Sequence, residues 1–509
     1  MLSYRYMQTE GIQMSAKAAA ARRPNRWAVL ALLGIAQLMV VLDATIVNIA
    51  LPSAQRTLHF STDNRQWVIT AYALAFGSLL LLGGKLGDLF GRKWTLIGGL
   101  TGFAVASAIG GLSQSFGMLV AARALQGAFG AILAPSALGL LTVTFQGSPD
   151  RPKAFGIFSA IAASGTSVGL LLGGVLTQTL SWRWCLYVNL AIAVPTAILA
   201  FRLLVNEPHP TRPRLDLPGT ALASGGLFAL VYGFSNAETH SWSNPLTIVA
   251  LAISALLLGS FVVLERRVAH PLLPLHIVKD RARGGAYATI ALAGSAVFAV
   301  FLFLTYYLQE NLGYSPLKTG LAFIPMTAMI VLTSVTVQTR VLHRTGARPL
   351  VMGGMTLGLT AMLLFTQLTP SGAYLTHVLP ALMLTGIGMG CVFAPAFSTA
   401  TLGVKSSDAG IASAMVNTSQ QVGGSVGTAL LSTIFASAAA SFLSTHARAA
   451  GVASAASIHG YTTAFGWAAG LFAAGLLVAI FVLPKDGAAR ARAANDQTAR
   501  DLALSLETT

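Results

Sequence analysis

Apolar runs of about 20 residues alternate with short polar breaks along almost the whole chain, and a run of that length spans the ~30 Å hydrocarbon core of a bilayer. The pattern predicts fourteen helices, near 28–51, 67–87, 95–113, 116–141, 154–178, 184–204, 217–236, 246–264, 286–309, 317–339, 349–369, 375–402, 409–437 and 463–483. Helices are the expected spanning form because backbone groups in hydrocarbon must bond within their own segment. The first run is too long for a signal-peptide core and lacks a good cleavage site.

The polar breaks carry the cations, and these orient the chain. With the N-terminus in the cytosol, 26 of the 32 Lys and Arg residues fall on the cytosolic side. Five fall outside (Arg56, Arg65, Arg183, Lys318 and Arg448), and Arg123 lies inside a span. The bias follows the positive-inside rule and predicts both termini in the cytosol. A miscount by one span puts Arg340, Arg344 and Arg348 on the wrong side, so charge checks the hydropathy count.

Composition agrees. The 509 residues are 54% hydrophobic and 9% charged, against about 25% charged in a soluble domain. The net charge of +16 raises nucleic acid as a partner. The cations stand in short clusters between apolar runs and form no basic domain, which argues against it. Cys185 and Cys391 lie inside apolar runs and suggest neither a disulfide framework nor a metal site. Arg outnumbers Lys 24 to 8, which points to a GC-rich bacterial genome. The expected organisation is a cytosolic tail (1–26), six helices (27–204), two linker helices with flanking cytosolic loops (205–283), six more helices (284–485) and a disordered cytosolic tail (486–509). Met14 is an alternative start.

One break, "GGKLGDLFGRKWTL" from Gly83 to Leu96, concentrates charge: Lys85, Asp88, Arg92 and Lys93. Topology explains the cations. Gly84, Gly87 and Gly91 let a short turn and two helix ends approach closely, and a carboxylate there can face the positive N-terminus of another helix. At an offset of 255 residues "VLHRTGARPL" aligns Gly346 with Gly91, Arg348 with Lys93 and His343 with Asp88. The same offset pairs Gly169 with Gly424, beside Gly423 and Gly427, while Gly165 has no glycine partner. The echo implies two parallel repeats of six spans, with spans 7 and 8 as an extra pair.

These stretches resemble the major facilitator superfamily, specifically its 14-span drug:proton antiporters of the EmrB/QacA type. "GKLGDLFGRK" resembles the signature loop between spans 2 and 3, "LDATIVNIALP" (Leu42 to Pro52) the signature of the 14-span branch, and "RALQGAFGA" (Arg123 to Ala131) the span-4 motif. "YLQENLGYSPLKTGLAFIP" and "VNTSQQVGGSVG" resemble further stretches of that branch. The chain departs from the family pattern in span 5, where "GTSVGLLLGG" places Leu170 at the usual proline. Gly165, Gly169 and Gly173 still share one face and predict close helix packing.

An ionisable group at membrane depth is costly and usually functional. Asp43 and Arg123 are the two clear cases. Asp43 lies 16 residues beyond Trp27, about 24 Å up at ~1.5 Å per residue. Arg123 lies seven residues beyond Phe116 at the outer end, roughly 20 Å up in a ~30 Å core. The two therefore can meet between spans 1 and 4. With the resemblance, the expectation is a proton carrier, Asp43, whose ionised form Arg123 favours on approach and whose neutral form desolvation favours on separation. A buried pair that merely fixes packing is the competing reading. Gln126, one turn from Arg123, is a candidate to orient it. Thr45 and Asn48 either hydrogen-bond near Asp43 or act as helix glue. Phe298, Phe301, Tyr306 and Tyr307 either line an aromatic drug pocket or pack ordinarily. Trp182 and Trp184 suggest an interfacial belt. For Asp88 the resemblance implies a gate that braces a closed cytosolic side against the start of span 13, near Ser406 to Gly410; a solvated turn charge is the alternative.

Other motifs fail. "LLLLGGKLGD" lacks the spacing of a phosphate loop, "GIGMG" (Gly386 to Gly390) lies in an apolar span, and the histidines fall almost entirely in loops. No catalytic constellation or metal cluster is visible. The expected protein is not an enzyme and needs no cofactor beyond the coupling proton. It is a monomeric efflux antiporter of the bacterial cytoplasmic membrane, expelling lipophilic small molecules, with a periplasmic adaptor if the host has an outer membrane. Span 10 carries no acid, which disfavours dicationic substrates. The rivals are a proton symporter importing a metabolite, supported by Leu170, and a non-transporting membrane sensor or membrane-bound enzyme.

Overall fold

The computed structural model describes residues 25–60, 67–205, 216–268, 271–370, 372–404, 408–446 and 452–485. The two expected tails fall almost wholly outside these residues, as do Ser406 at the expected gate and the side chain of Asn48. Among the described residues fourteen helices are long and apolar enough to cross a membrane. They are α1 (Arg26–Leu58), α2 (Trp67–Phe90), α3 (Arg92–Gly111), α4 (Phe116–Thr144), α5 (Arg151–Thr179), α6 (Trp184–Leu203), α7 (Leu217–Thr239) and α8 (Pro245–Glu265). After a one-turn helix, Leu275–Lys279, follow α9 (Arg281–Asn311), α10 (Leu317–Thr345), α11 (Ala347–Phe365), α12 (Tyr374–Ala400), α13 (Ala409–Thr445) and α14 (Val452–Phe481).

Capping residues fix several starts. Asn25, Ser115, Asp216, Asn244 and Asp280 each accept a backbone N–H from the first turn of the helix they precede, satisfying a donor the helix leaves open. The helices pack as two six-helix bundles. In the first, α2 lies on α4, α1 on α5, and α3 on α4 and α6; in the second, α11 lies on α12 and α14, α9 on α13 and α14, and α10 on α12. Helices α7 and α8 pair with each other, and α7 leans on α2 and α13.

The 255-residue echo has a structural counterpart. Gly91 (φ 88°) joins α2 to α3, and Gly346 (φ 79°) joins α10 to α11; this positive-φ backbone favours glycine. Lys93 Nζ donates to the Phe201 carbonyl at 2.9 Å, tying α3 to α6, and Arg348 donates to the Ile480 carbonyl at 2.6 Å, tying α11 to α14. A Cβ on Gly165, Gly169 or Gly173 would strike α1, and one on Gly423, Gly424 or Gly427 would strike α9. Helix α5 runs unbroken past Leu170.

Two expectations change. The stretch from Gly83 to Leu96 is not a loop with helix ends at 87 and 95. Helix α2 continues to Phe90, α3 begins at Arg92, and Gly91 alone makes the junction. Asp88 thus stands on a helix. Trp184 is 48% exposed but Trp182 is 4%, so only Trp184 presents itself as a belt residue.

Candidate functional site

Asp43 has no exposed surface and Arg123 is 1% exposed. The guanidinium Nη1 donates to Asp43 Oδ2 at 2.6 Å. The other carboxylate oxygen, Oδ1, accepts from Gln126 Nε2 at 3.1 Å and from Asn189 Nδ2 at 2.7 Å. Gln126 also accepts from Arg123 Nη1 at 2.8 Å and donates to Ser107 Oγ at 2.7 Å. Arg123 Nε donates to the Val68 carbonyl at 3.3 Å, and its guanidinium carbon stands 4.4 Å from the centre of the Tyr72 ring. Helices α1, α2, α3, α4 and α6 therefore all contribute. Asn189 lies five residues beyond the start of α6, about 8 Å in, so the cluster sits toward the cation-poor end.

This carboxylate is fully paired in a setting where removal of one partner leaves an uncompensated buried charge, at ~3–5 kcal/mol. Its two oxygens accept three side-chain donors. Sequence reasoning found Asp43, Arg123 and Gln126 but missed Asn189, Ser107 and Tyr72. The depth argument was confined to ionisable groups; applied to uncharged polar residues it would have marked Asn189 and Ser107 at the same level.

Thr45 is a correction. Its hydroxyl donates to the Val41 and Leu42 carbonyls at 3.2 and 3.0 Å and rests against Gly169. Residues two apart on a helix face different ways, so Thr45 meets α5 while Asp43 meets α4 and α6.

A second acid–base pair stands at the opposite, cation-rich end. Asp88 is 2% exposed and Arg92 is 7%. Arg92 donates to Asp88 Oδ1 at 2.7 Å, and the Gly410 amide at the start of α13 donates to the same oxygen at 3.3 Å. A Cβ on Gly84 would meet Ala414 Cβ at 2.7 Å, and one on Gly410 would meet Asp88 Oδ1 at 2.8 Å; Gly87 faces Ser136 and Arg92 within its own bundle. A second crossing lies beside it: Arg151 donates to Thr401 Oγ1 at 3.0 Å and to the Ser398 carbonyl at 3.4 Å. The bundles are thus pressed together at the cation-rich end. Lys93 takes no part, being spent on Phe201.

The four aromatic candidates do not form one pocket. Tyr307 is fully buried inside the second bundle and donates to the Thr369 carbonyl at 2.9 Å. Phe301 packs on Phe323 with ring centres 5.4 Å apart. Phe298 lies against Gly424 and is 50% exposed, and Tyr306 is 42% exposed. Residues 298, 301, 306 and 307 spread round the helix, so they cannot face one cavity. Among the described residues no three of His, Cys, Asp or Glu converge as metal ligands.

Comparison with known proteins places this geometry. The sequence profile described as "Major Facilitator Superfamily" matches residues 33–428. The chain is 48% identical over 451 residues to the puromycin resistance protein of Streptomyces alboniger, covering 88% of this chain and 89% of that one. It is 40% identical to the cephamycin export protein of Amycolatopsis lactamdurans, covering 78% and 83%. It is 34% identical to the tetracenomycin C resistance and export protein of Streptomyces glaucescens, covering 82% and 77%. Among solved structures it is similar in fold to the human organic anion transporter MFSD10, with a TM-score of 0.60 at 16% identity, covering 90% of this chain and 100% of that one.

Proposed function

The chain belongs to the Major Facilitator Superfamily, and from that premise we propose that it exports lipophilic drugs in exchange for protons. The cation-rich end is assigned to the cytosol, with both termini there and the protein in the bacterial cytoplasmic membrane. One chain supplies both bundles, so the working unit is a monomer. The export direction draws support from relatives named for resistance and export. Coupling to protons draws support from one observation above all: a membrane-buried carboxylate held by Arg123, Gln126 and Asn189.

Asp43 is the proton carrier in this reading. The paired, ionised form belongs to the state closed at the cation-rich end. A proton entering from the outside neutralises Asp43 and frees Arg123, whose charge then needs other partners; Val68 and Gln126 are already in contact. That change loosens the anchoring of α1 on α4 and α6 and allows the bundles to rock. At the cytosolic side the Asp88–Gly410 and Arg151–Thr401 contacts part, Asp43 releases its proton inward, and drug enters from the cytosol.

The test uses inverted vesicles and radiolabelled puromycin. Acidifying the lumen drives accumulation by the wild type, and Asp43→Asn reduces it about 100-fold, the effect of ~3 kcal/mol. Accumulation that needs no proton gradient, or full coupling in Asp43→Asn, rejects the reading. A symporter gives the opposite sign, with uptake driven by acid on the outer face of the vesicle.

A further inference from the structure

The seam between α5 and α10 joins the two bundles, and three buried polar residues on it lack the hydrogen bonds that Ser164, Ser167 and Thr327 make along the same helices. Buried hydroxyls on other helices commonly bond the carbonyl four residues back, as do Ser136 and Thr142 on α4, Thr385 on α12 and Ser413 on α13. Ser159 on α5 and Ser334 on α10 do not; each hydroxyl is buried with no hydrogen-bond partner among the described residues. Gln338, one turn beyond Ser334, is 1% exposed, and neither its amide nitrogen nor its amide oxygen has a partner there.

The backbone around these groups is also unusual. Gln338 lies in a single π-helical turn, Val337–Val341, a distortion that recurs at functional sites. Gly156, one turn before Ser159, lets α10 come close: a Cβ there would stand 3.0 Å from both the Ser334 carbonyl and Gln338 Cβ. An amide removed from water without a partner is expensive, and an unpaired buried amide in a native fold needs an explanation. Packing alone would select Leu or Met at this position.

Position supplies the explanation. Gly156 lies five residues into α5 from its cation-rich start, and Gln338 lies seven residues before the end of α10 at the same side. Opening of the cation-rich end parts this seam along with the Asp88–Gly410 and Arg151–Thr401 contacts. We propose that Gln338, with Ser334 and Ser159, is a ligand-binding site exposed in the cytosol-open state, where it hydrogen-bonds the uncharged polar groups (amide, hydroxyl or ether) of an otherwise apolar substrate. The amide of Gln338 offers both donors and an acceptor, and the hydroxyls of Ser334, one turn before it on α10, and Ser159, three residues beyond Gly156 on α5, add to it; none of the three side chains carries charge. In the conformation described here the site is shut and its groups are unpaired, which favours reopening. This inference rests on the alternating-access reading above and assigns it a recognition surface.

The experiment measures equilibrium binding to purified protein in nanodiscs by tryptophan fluorescence, with two probes. Puromycin carries amide and hydroxyl groups; tetraphenylphosphonium has no hydrogen-bonding group at all. Gln338→Met removes both amide atoms at nearly constant volume. It is expected to weaken puromycin binding about 10-fold and tetraphenylphosphonium binding less than about 2-fold. Ser334→Ala is expected to weaken puromycin about 3-fold with the same selectivity. Retained tetraphenylphosphonium binding shows that each variant is folded. Equal loss for both probes, no loss for either, or a wild type that binds no puromycin overturns the proposal. A wild type that binds puromycin selectively through Gln338 but does not transport it against a proton gradient overturns the export reading and leaves the site standing.

Discussion

Two buried Asp–Arg pairs sit at opposite ends of the first bundle, with almost the same bond length: 2.6 Å for Asp43–Arg123 and 2.7 Å for Asp88–Arg92. They differ in what surrounds them. Both oxygens of Asp43 are satisfied, by donors from α4 and α6 of a single bundle. Asp88 satisfies one oxygen, with Arg92 and a long 3.3 Å contact to Gly410 across the bundle boundary, while its Oδ2 has no hydrogen-bond partner among the described residues. The carboxylate that the proposed exchange protonates and releases has all its partners inside one bundle. The contact that the proposed cycle makes and breaks lies between the bundles and leaves one carboxylate oxygen without a partner among the described residues. Buried groups without a hydrogen-bond partner among the described residues occur at the α5–α10 seam, at Ser159, Ser334 and Gln338, and also inside the first bundle, at Tyr72 Oη and Asn189 Oδ1.

That contrast can be broken by substitutions of graded effect. Arg123→Gln strips the first pair of its cation and removes the 2.6 Å bond to Asp43. Proton-driven export should fall about 100-fold, with thermal stability reduced by ~3 kcal/mol. Vesicle transport and a melting curve check both, and a variant that still couples fully removes the distinction between the two pairs. Asn189→Leu takes away one of three donors. Export should fall about 10-fold. Vesicle transport checks this, and an unchanged rate removes Asn189 from the working site.

Gly410→Ala acts on the other pair. The added methyl would stand 2.8 Å from Asp88 Oδ1, so the cation-rich end should close less completely. Overpacking of ~1–3 kcal/mol shifts the population toward the open state about 10-fold. Spin labels on α2 and α13 report the distance, and an unchanged distribution would mean that the contact plays no part in closure. The smallest effect is expected at Thr45→Val. Its hydroxyl serves only its own helix, so export should stay within about 2-fold of wild type. A larger drop would return Thr45 to the Asp43 site.

Much of this is legible in the sequence alone. Asp43 and Arg123 announced themselves as charges in apolar runs, and counting residues from the helix ends placed them at one depth. Gly91 and Gly346 marked two equivalent junctions because positive φ favours glycine. What stayed hidden was the rotation of each helix about its axis. Asn189 and Ser107 were visible as polar residues, but nothing in their own segments aimed them at Asp43. The aromatic residues of α9 failed as a pocket for the same reason, since Tyr307 turns inward while Phe298 and Tyr306 do not.

By itself the sequence determined that the chain lives in a membrane, how many times it can cross, and that its halves repeat. Those properties depend on segment length, on total apolarity and on charge between segments, all of which are local. Tertiary structure alone decided which side chains converge, that Asp43 lies within a bundle rather than between bundles, and which end is closed. A soluble helix betrays its buried face by a polar face opposite. In lipid both faces are apolar, so packing of small residues and a few hydrogen bonds sets the rotation, and those exist only once the helices have met.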